Sequence, residues 1–416
     1  MALILDVSVT PLAFEDEVLG VIELPKSRLF VTRGLGSGLT RRSGDPAGTI
    51  WAVGDRGPNL KVPLAIARYG MAELGHLADI DGAKVMPMLD VGPAISELRV
   101  EGDRVICVRT IALRDGDGMP LSGLPIPGGV SEPAFDLEGR QLPANAGGAD
   151  TEGMAAVSDG TFWVADEYGP SLFHVAADGV VLARWVPEGC AGWFDGARYP
   201  IVEALPAIAA RRQINRGFEA LALSTDEGSL YLAFQSPLAH PDESTHRHAR
   251  HIRIWRLDLA SRSLAAQYLY PLDSPDTFAR DAAVEPMHWR DLKVSELVML
   301  GDGRLLVLER GSATTKLYLV EPGAGNLVDR AHLDVATMPT LEQLSAQDRL
   351  DPTILLAKTL FLSTDDHPGV GADLEGLAQI APGVFVIVND NDFGIEGVAT
   401  RFWRIDVPGL DKDIVE

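Results

Sequence analysis

The sequence contains little cysteine, no excess of basic charge and no long apolar run. Among its 416 residues only Cys107 and Cys190 are cysteines, which excludes a disulfide-rich scaffold and a cysteine-based zinc site. Whether these two thiols pair or stay free is open at this level. No apolar run approaches the roughly 20 residues that a membrane-spanning helix needs, so we expect no membrane partner.

Acidic residues outnumber basic ones in the sequence as a whole. The sequence has 36 Lys and Arg against 59 Asp and Glu, which gives a formal net charge of −23. Nucleic acids and anionic membranes are bound by basic surfaces, so the sequence predicts neither as a partner. An acidic excess often serves only to keep a protein soluble. The alternative, functional interpretation is that some of the carboxylates are grouped to bind cations.

Several catalytic motifs are also absent. There is no GxSxG, no HExxH and no GxxxxGK[ST], which disfavours a nucleophile-elbow hydrolase, a metalloprotease of that type and a P-loop enzyme. The glycine-rich segment 34–38 precedes a strand and a turn, so it is not a dinucleotide-binding fingerprint. The N-terminal segment lacks a basic region and a small-residue cleavage site, and we therefore predict Leu3–Val9 as a strand and not as a signal peptide.

What the sequence does contain is a four-strand pattern, which is clearest over residues 150–185. Short apolar runs in this stretch are separated by SerAspGly, TyrGlyPro and AspGly, which are turn sequences. The pattern predicts four antiparallel strands in under forty residues. Glu152 stands at the entry to the first strand, and Asp166 with Glu167 stands at the exit of the second.

Units with this pattern recur along the chain. The leading glutamates are separated by 67, 77 and 79 residues, and a polar residue ends the second strand of each unit. The glutamates are Glu152, Glu219, Glu296 and Glu375, and the strand-end residues are Asp166, Gln235, Glu309 and Asn389. Two degenerate units, at 35–58 and 96–112, bring the number to six.

The units predict an all-β fold, a single closed β-propeller of six four-stranded blades, with seven blades as the alternative. We expect residues 1–416 to form one domain with loop insertions near 114–149 and 240–251. The last unit has no fourth strand of its own. An N-terminal strand, Leu3–Val9 or Val18–Leu24, is expected to supply it and close the ring, which removes exposed sheet edges.

A propeller would bring the repeated carboxylates together, because the first strand of each blade lines the central channel. Oxygen ligands without cysteine or paired histidine suit a hard cation, and Ca²⁺ fits better than zinc. The predicted ligands are a ring of glutamates and the acids around one mouth: Glu152, Glu219, Glu296, Glu375, Asp55, Asp166, Asn389 and Asp390.

Arginines beside these motifs leave a second interpretation open. Arg56, Arg216 and Arg310 lie beside the motifs, in the tripeptides AspArgGly, AsnArgGly and GluArgGly. They could neutralise the glutamates as ion pairs, so that no cation is needed. Alternatively, a guanidinium beside a metal grips a phosphate or a carboxylate through two hydrogen bonds.

The motifs resemble those of a bacterial family known as phytase-like, or esterase-like activity of phytase. The resemblance is carried by DTEGM and FWVADEYGP within 150–170, NRGFEAL at 215–221, SEL and LLVLERG within 295–311, LEGL at 374–377 and NDNDFG at 389–394. It extends from about Ser37 to Val407. The resemblance implies a β-propeller hydrolase acting on esters or phosphoesters, and it suggests a periplasmic or secreted location.

The sequence therefore predicts a Ca²⁺-assisted hydrolase with a small-molecule ester or phosphoester substrate. Glu152 and Glu219, with Arg56 and Arg216, are the predicted catalytic residues. The cation would polarise the scissile group, with a carboxylate as general base. A lactonase acting at the same site is one alternative, and a non-catalytic binding or scaffold propeller with structural glutamates is another. The sequence leaves the oligomeric state open.

Overall fold

The computed structural model describes residues 7–408 and 410, and these residues form a predominantly β structure. The first strands are β1 Ser8–Leu12, β2 Val18–Glu23, β3 Arg28–Thr32, β4 Gly38–Thr40, β5 Thr49–Val53, β6 Leu60–Lys61, β7 Lys84–Val85, β8 Ala94–Glu101, β9 Arg104–Ala112, β10 Ala134–Phe135, β11 Thr151–Ala156, β12 Phe162–Asp166 and β13 Ser171–Val175. The later strands are β14 Val181–Pro187, β15 Ile201–Leu205, β16 Phe218–Leu223, β17 Ser229–Phe234, β18 His251–Asp258, β19 Ser263–Pro271, β20 Lys293–Met299, β21 Leu305–Arg310, β22 Thr315–Val320, β23 Lys358–Ser363, β24 Leu374–Ala381, β25 Val384–Asn389 and β26 Phe402–Asp406.

Helices are short. The α-helices are α1 Val62–Ala67, α2 Glu243–His248, α3 Ala279–Ala282 and α4 Leu341–Ala346. Short 3₁₀ segments lie at Ala72–Leu77, Ala191–Phe194, Ala207–Arg211, Pro275–Thr277, Trp289–Asp291, Ala324–Asn326, Arg330–Leu333, Pro352–Ile354, Thr364–Asp366 and Asp392–Gly394. Within the described residues, no helix has the length and apolar character required to span a membrane.

Five sheets of four or five strands make up the main body of the described chain. Their strand orders are β4-β5-β8-β9, β11-β12-β13-β14-β15, β16-β17-β18-β19, β20-β21-β22-β23 and β24-β25-β26-β1. The first strands contact one another in cyclic order, β4 with β11, β11 with β16, β16 with β20, β20 with β24, and β24 with β4. This is the arrangement of a β-propeller whose blades surround a common axis.

The meander predicted at 150–185 is present. Strands β11 to β14 follow one another in antiparallel register, and a fifth strand, β15, joins in parallel beside β14. Every side chain of β11 and β12 is buried, because both faces of the sheet are covered by neighbouring sheets. Continuous apolar runs bounded by turns are typical of strands buried on both faces.

The prediction of six units is not what the sheets show. The segments 35–58 and 96–112, taken as two degenerate units, form one sheet, because β5 pairs directly with β8 in antiparallel register. Segment 96–112 supplies the third and fourth strands of that sheet and contains no inner strand of its own. The chain between the paired strands, which includes α1, leaves the sheet and returns to it.

An N-terminal strand completes the last sheet. Strand β1 pairs with β26 in antiparallel register, from Ser8 opposite Asp406 to Leu12 opposite Phe402. Of the predicted strand Leu3–Val9, residues 3–6 lie outside the described residues. The other candidate segment instead forms a hairpin, in which β2 pairs with β3.

Two excursions leave the sheets. Strands β6, β7 and β10 form a small sheet, and the core around them joins α1, the 3₁₀ segment Ala72–Leu77, strand β3 and Phe393. The segment 240–251, predicted as a loop, contains helix α2, whose first turn is capped by the Asp242 side chain. Helix α2 packs against α4, and both His240, which precedes α2, and His246, which belongs to it, are buried. Cys107 and Cys190 are both free thiols.

Candidate functional site

Inner strands of four sheets carry an irregularity of register at corresponding positions. The pairing shifts at Glu152 in β11, at Glu219 in β16, at Ser295 in β20 and at Glu375 in β24. A β-bulge of this kind leaves a residue unpaired and redirects its side chain. The position held by glutamate in three sheets is therefore held by Ser295 in β20, and not by Glu296 as the sequence predicted.

Glu296 has a different environment. Its carboxylate accepts hydrogen bonds from the backbone N–H of Leu39 at 2.9 Å and of Leu297 at 3.1 Å, and its side chain is completely buried. Burial raises the pKa of Glu296 well above its usual value, although backbone N–H groups, including that of Leu377, act in the opposite direction. The predicted ligand is a structural residue that joins inner strands at the axis.

The other three glutamates line a cavity of about 350 Å³ at one end of the inner strands. Nine acidic and five basic side chains contribute to its wall. The acidic residues are Asp55, Glu152, Glu167, Glu219, Asp373, Glu375, Asp390, Asp392 and Glu396, and the basic residues are Arg56, Lys61, Lys84, Lys293 and Arg310. We call this the acidic cavity. Lys61, Lys84 and Glu396 come from the small sheet and the segment after β25, which lie beside the mouth.

A second cavity, of about 370 Å³, lies further along the same inner strands. Its wall includes Leu39, Leu221, Leu297 and Leu377, followed by Gln379 and polar residues of the turns. The backbone N–H groups of these four leucines surround the Glu296 carboxylate. Glu296 therefore lies between the two cavities, and only the first of them contains the clustered carboxylates.

In four of the five sheets a residue that follows the second strand, and not the last residue of the strand, reaches the acidic cavity. Glu167, Gln235 and Asp390 directly follow β12, β17 and β25, and Asp55 lies two positions after the end of β5. All four side chains line the wall of the acidic cavity. In the fourth sheet the wall is lined by Arg310, which is the last residue of β21. Neighbouring side chains along a strand point to opposite faces. Two sequence-predicted ligands, Asp166 and Asn389, consequently point away from the cavity.

Asp166 and Asn389 instead hold the backbone around them. Asp166 is completely buried, pairs with Arg184 at 2.6 Å and accepts a hydrogen bond from the Asp150 N–H at 2.7 Å. Asn389 accepts a hydrogen bond from the N–H of Arg401 at 2.6 Å and donates to the carbonyl of Ala399 at 3.2 Å. Neither prediction as a metal ligand fits these contacts.

Within residues 7–408 and 410, three groups of carboxylates have the spacing of metal ligands. In each group one oxygen per residue lies within 4.8 Å of the others. The groups are Glu152 with Glu219 and Glu375, Asp55 with Asp150 and Glu152, and Asp55 with Asp390 and Asp392. We call the first the axial triad and the second the Asp150 triad. Five predicted ligands belong to these groups, and the sequence reasoning missed Asp150 and Asp392.

Three oxygens in these groups have no hydrogen-bond partner among the described residues. Glu219 Oε1 accepts hydrogen bonds from Gln235 at 2.5 Å and Ser295 at 3.3 Å, whereas Glu219 Oε2 accepts none. Among the same residues, neither oxygen of Asp150 has a hydrogen-bond partner; Oδ2 forms an ion pair with Arg56 at 2.6 Å, whereas Oδ1 has no ion-pair partner either. Both side chains are almost completely buried. A buried carboxylate oxygen without a partner is costly unless a cation binds it, and an oxygen-only donor set fits Ca²⁺.

The carboxylates also have strongly perturbed acidities. Burial, followed by repulsion from Glu219 and Asp55, raises the pKa of Glu152 well above its usual value. Burial and the negative charge of Glu219 raise the pKa of Glu167 to about 7. Burial, followed by the charges of Arg310 and Arg216, lowers the pKa of Lys293 to about 7. Perturbed groups of both signs in one cavity are typical of functional sites.

The arginines named from the sequence differ in their roles. Arg56 lines the acidic cavity and is occupied by Glu132 at 2.7 Å, Asp150 at 2.6 Å and the hydroxyl of Tyr168 at 3.0 Å. Arg216, the other predicted catalytic arginine, does not line the cavity, and its Nη1 has no partner among the described residues.

Arg310 forms an ion pair of the kind expected if arginines, and not a cation, neutralise the glutamates. It pairs with Glu375 and donates to Ser295 Oγ at 3.0 Å. Glu152 and Glu219 have no arginine within salt-bridge distance in the described part of the chain. An arginine therefore neutralises one glutamate of the axial triad, Glu375, and the other two glutamates have no arginine partner among the described residues.

Comparisons with known proteins give one sequence relative and several distant structural neighbours. The chain is 28% identical over 295 residues to an uncharacterized secreted protein of Arthroderma benhamiae; the match covers 64% of this chain and spans about half, 55%, of the relative's length. An aldose sugar dehydrogenase of Streptomyces coelicolor shares 10% identity with a TM-score of 0.34, and the matched regions cover 97% of this chain and 98% of that one. A gluconolactonase of Xanthomonas campestris also shares 10% identity with a TM-score of 0.34, over 96% and 98% of the two chains. At these TM-scores the structural likeness supports no conclusion about activity.

The family comparison covers most of the chain. The model of the Phytase-like family, described as esterase-like activity of phytase, matches residues 32–393. This range includes all five inner strands and every carboxylate of the three groups. The chain therefore belongs to the Phytase-like family, esterase-like activity of phytase.

Proposed function

We propose that the protein is a hydrolase of esters or phosphoesters that binds a divalent cation, Ca²⁺, at the axial triad of Glu152, Glu219 and Glu375. The unpartnered, buried Glu219 Oε2 is the observation that carries the proposal. Family membership supports an esterase-like activity. The acidic cavity, of about 350 Å³, has the size of a small-molecule site.

The side chains around the triad supply groups for acid–base chemistry. A cation bound there would act as a Lewis acid toward the scissile group. Glu167, with its pKa raised to about 7, exchanges a proton readily at neutral pH, as a general acid or base must. Lys293 lines the same wall, and its protonated form adds a positive charge beside a developing anion. Arg56 and Arg310 are held by carboxylates and keep those acids in place.

Export from the cytoplasm is part of the proposal. The relative from Arthroderma benhamiae is a secreted protein. Calcium sites of extracellular modules work at dissociation constants of about 10⁻⁴ to 10⁻³ M. A periplasmic or secreted location would therefore keep even a weak calcium site occupied.

Hydrolysis assays with chelation test the proposal. Protein stripped with a chelator should lose turnover of nitrophenyl phosphate or nitrophenyl acetate and regain it with Ca²⁺. Glu219→Gln should weaken calcium activation at least about tenfold, since even residues that only support metal ligands contribute this much. Gln379→Ala, in the opposite cavity, serves as the control and should leave turnover unchanged. Turnover that is insensitive to the chelator would overturn the metal role.

A lactone panel belongs in the same experiment, because a lactonase would use the same site. A non-catalytic binding protein is the second candidate, and the pairing of Arg310 with Glu375 favours it. That candidate predicts no turnover of phosphates, carboxylic esters or lactones at any calcium concentration. Calcium-dependent hydrolysis of one class excludes it and identifies the substrate class.

A further inference from the structure

The Asp150 triad lies beside the axial triad and shares Glu152 with it. Asp55, Asp150 and Glu152 each place an oxygen within 4.8 Å of the others, as do Glu152, Glu219 and Glu375. Asp150 immediately precedes β11, so that Asp150 and Glu152 lie two positions apart on the same stretch of chain. One carboxylate thus belongs to both groups of oxygens.

Each triad contains its own unpartnered oxygen. In the axial triad it is Glu219 Oε2, and in the Asp150 triad it is Asp150 Oδ1. Asp150 is completely buried, and Arg56 neutralises only its other oxygen, at 2.6 Å. A single cation in the axial triad would leave Asp150 Oδ1 without a partner, and a buried polar atom left in this state is unfavourable.

The charge around the acidic cavity supports more than one ion. Its nine acidic side chains and Asp150, set against its five basic side chains, leave an excess of five negative charges when all are ionised. One divalent cation would neutralise two of these charges, and two would neutralise four. We infer that the cavity binds two divalent cations, one at each triad, with Glu152 as the bridging ligand. This inference rests on the proposed function for the first cation and adds the second.

A shared proton is the competing way to hold Asp55 and Asp150 together. Two neighbouring carboxylates can be stabilised when one of them is protonated. In that arrangement only the axial triad binds a cation. The two arrangements therefore differ in the number of cations bound, which calorimetry measures directly.

The experiment titrates Ca²⁺ alone into chelator-stripped full-length protein by isothermal titration calorimetry. Wild type should bind two ions per chain, and Asp150→Asn and Glu219→Gln should each bind one. Glu396→Gln, which removes an acid of the same cavity outside both triads, is the matched control and should bind two. Thermal unfolding and circular dichroism establish that each variant is folded, and an unfolded Asp150→Asn is replaced by Asp55→Asn with the same expected count.

The outcomes separate this inference from the proposed function. One ion bound by wild type, or two bound by folded Asp150→Asn, would overturn the second site. If chelator-sensitive hydrolysis accompanies a single ion, the proposed function stands and the inference fails. If two ions bind and no ester or phosphoester is hydrolysed, the inference stands and the proposed function fails.

Discussion

The backbone N–H of Leu39 donates a hydrogen bond of 2.9 Å to the carboxylate of Glu296, a residue 257 positions further along the chain. Leu39 belongs to β4 and Glu296 to β20, so the bond joins inner strands of the first and fourth sheets across the axis. The corresponding position is occupied by Gly38, Gly153 and Gly376 in three other sheets. The single carboxylate at this position thus connects strands that are not adjacent in the ring.

Replacement of this carboxylate should destabilise the protein. In Glu296→Gln the amide places an N–H₂ group among backbone N–H donors, so at least one buried donor loses its acceptor. We expect the free energy of unfolding to fall by about 1 to 3 kcal/mol, measured by urea denaturation. Glu321→Gln, at an exposed site, should change it by less than about 0.5 kcal/mol. An equal effect of the two substitutions would show that the axial hydrogen bonds contribute nothing.

The same substitution at Glu219 should act in the opposite direction. Burial raises the pKa of Glu219, and its Oε2 has no partner among the described residues, so its charge is costly when no cation is bound. Glu219→Gln should therefore raise the melting temperature of chelator-treated protein and reduce the further rise on adding Ca²⁺. Differential scanning calorimetry with and without Ca²⁺ measures both effects. A lower melting temperature without Ca²⁺ would contradict the assignment of Glu219 as a cation ligand.

The Asp281 carboxylate should stabilise the loop that follows β21. Its carboxylate accepts hydrogen bonds from the backbone N–H groups of Ser312, Ala313 and Thr314 at 2.8, 2.8 and 2.7 Å. Ser312 lines the acidic cavity. Asp281→Ala should lower the free energy of unfolding by about 1 to 3 kcal/mol, because three backbone donors lose their acceptor. It should also lower turnover, while Asp281→Asn, which keeps an acceptor oxygen, should recover part of both losses.

Low pH should selectively remove the contribution of the Asp273 carboxylate to the stability of the folded protein. Burial acts to raise the pKa of Asp273, but hydrogen bonds from Lys316 at 2.7 Å and Tyr318 outweigh it and lower the pKa from 3.8 to about 2. Because the pKa is lower in the folded state, the ionised group stabilises the protein fully above about pH 4, and this stabilisation disappears as the pH falls through 2. Asp273→Asn should therefore be less stable than wild type at pH 7, and the difference should shrink between pH 4 and 2. A difference that does not depend on pH would exclude this linkage.

The repeat was visible in the sequence, but its register was not. The alternation of apolar runs and turns predicted β11 to β14 because those signals are local. A glutamate in the motif of β20 was aligned with the glutamates of other units, although Ser295 holds the corresponding position. The interval from Glu296 to Glu309 is one residue shorter than that from Glu152 to Asp166, and this difference was the available signal. A shift of one residue moves a side chain to the other face of a strand.

The remaining site residues depend on long-range packing. Asp166 and Glu167 are neighbours in sequence, yet only Glu167 reaches the acidic cavity, and the chain direction at the end of a strand decides between them. Asp150 precedes the motif and Asp392 lies in a short 3₁₀ segment, so neither belongs to the repeated pattern. Similarly, the pairing of β5 with β8 across the excursion containing α1 has no local signal, and the sequence therefore divides this one sheet into two units.

A crystal structure of the protein grown with Ca²⁺ tests the central claim most directly. The account predicts electron density for an ion at the axial triad, with oxygens of Glu152, Glu219 and Glu375 at about 2.3 to 2.6 Å from it. Replacement of Ca²⁺ by a lanthanide should give an anomalous peak at the same place. Density without an ion, with Glu219 Oε2 hydrogen-bonded to a protein donor such as Lys293, would contradict the account.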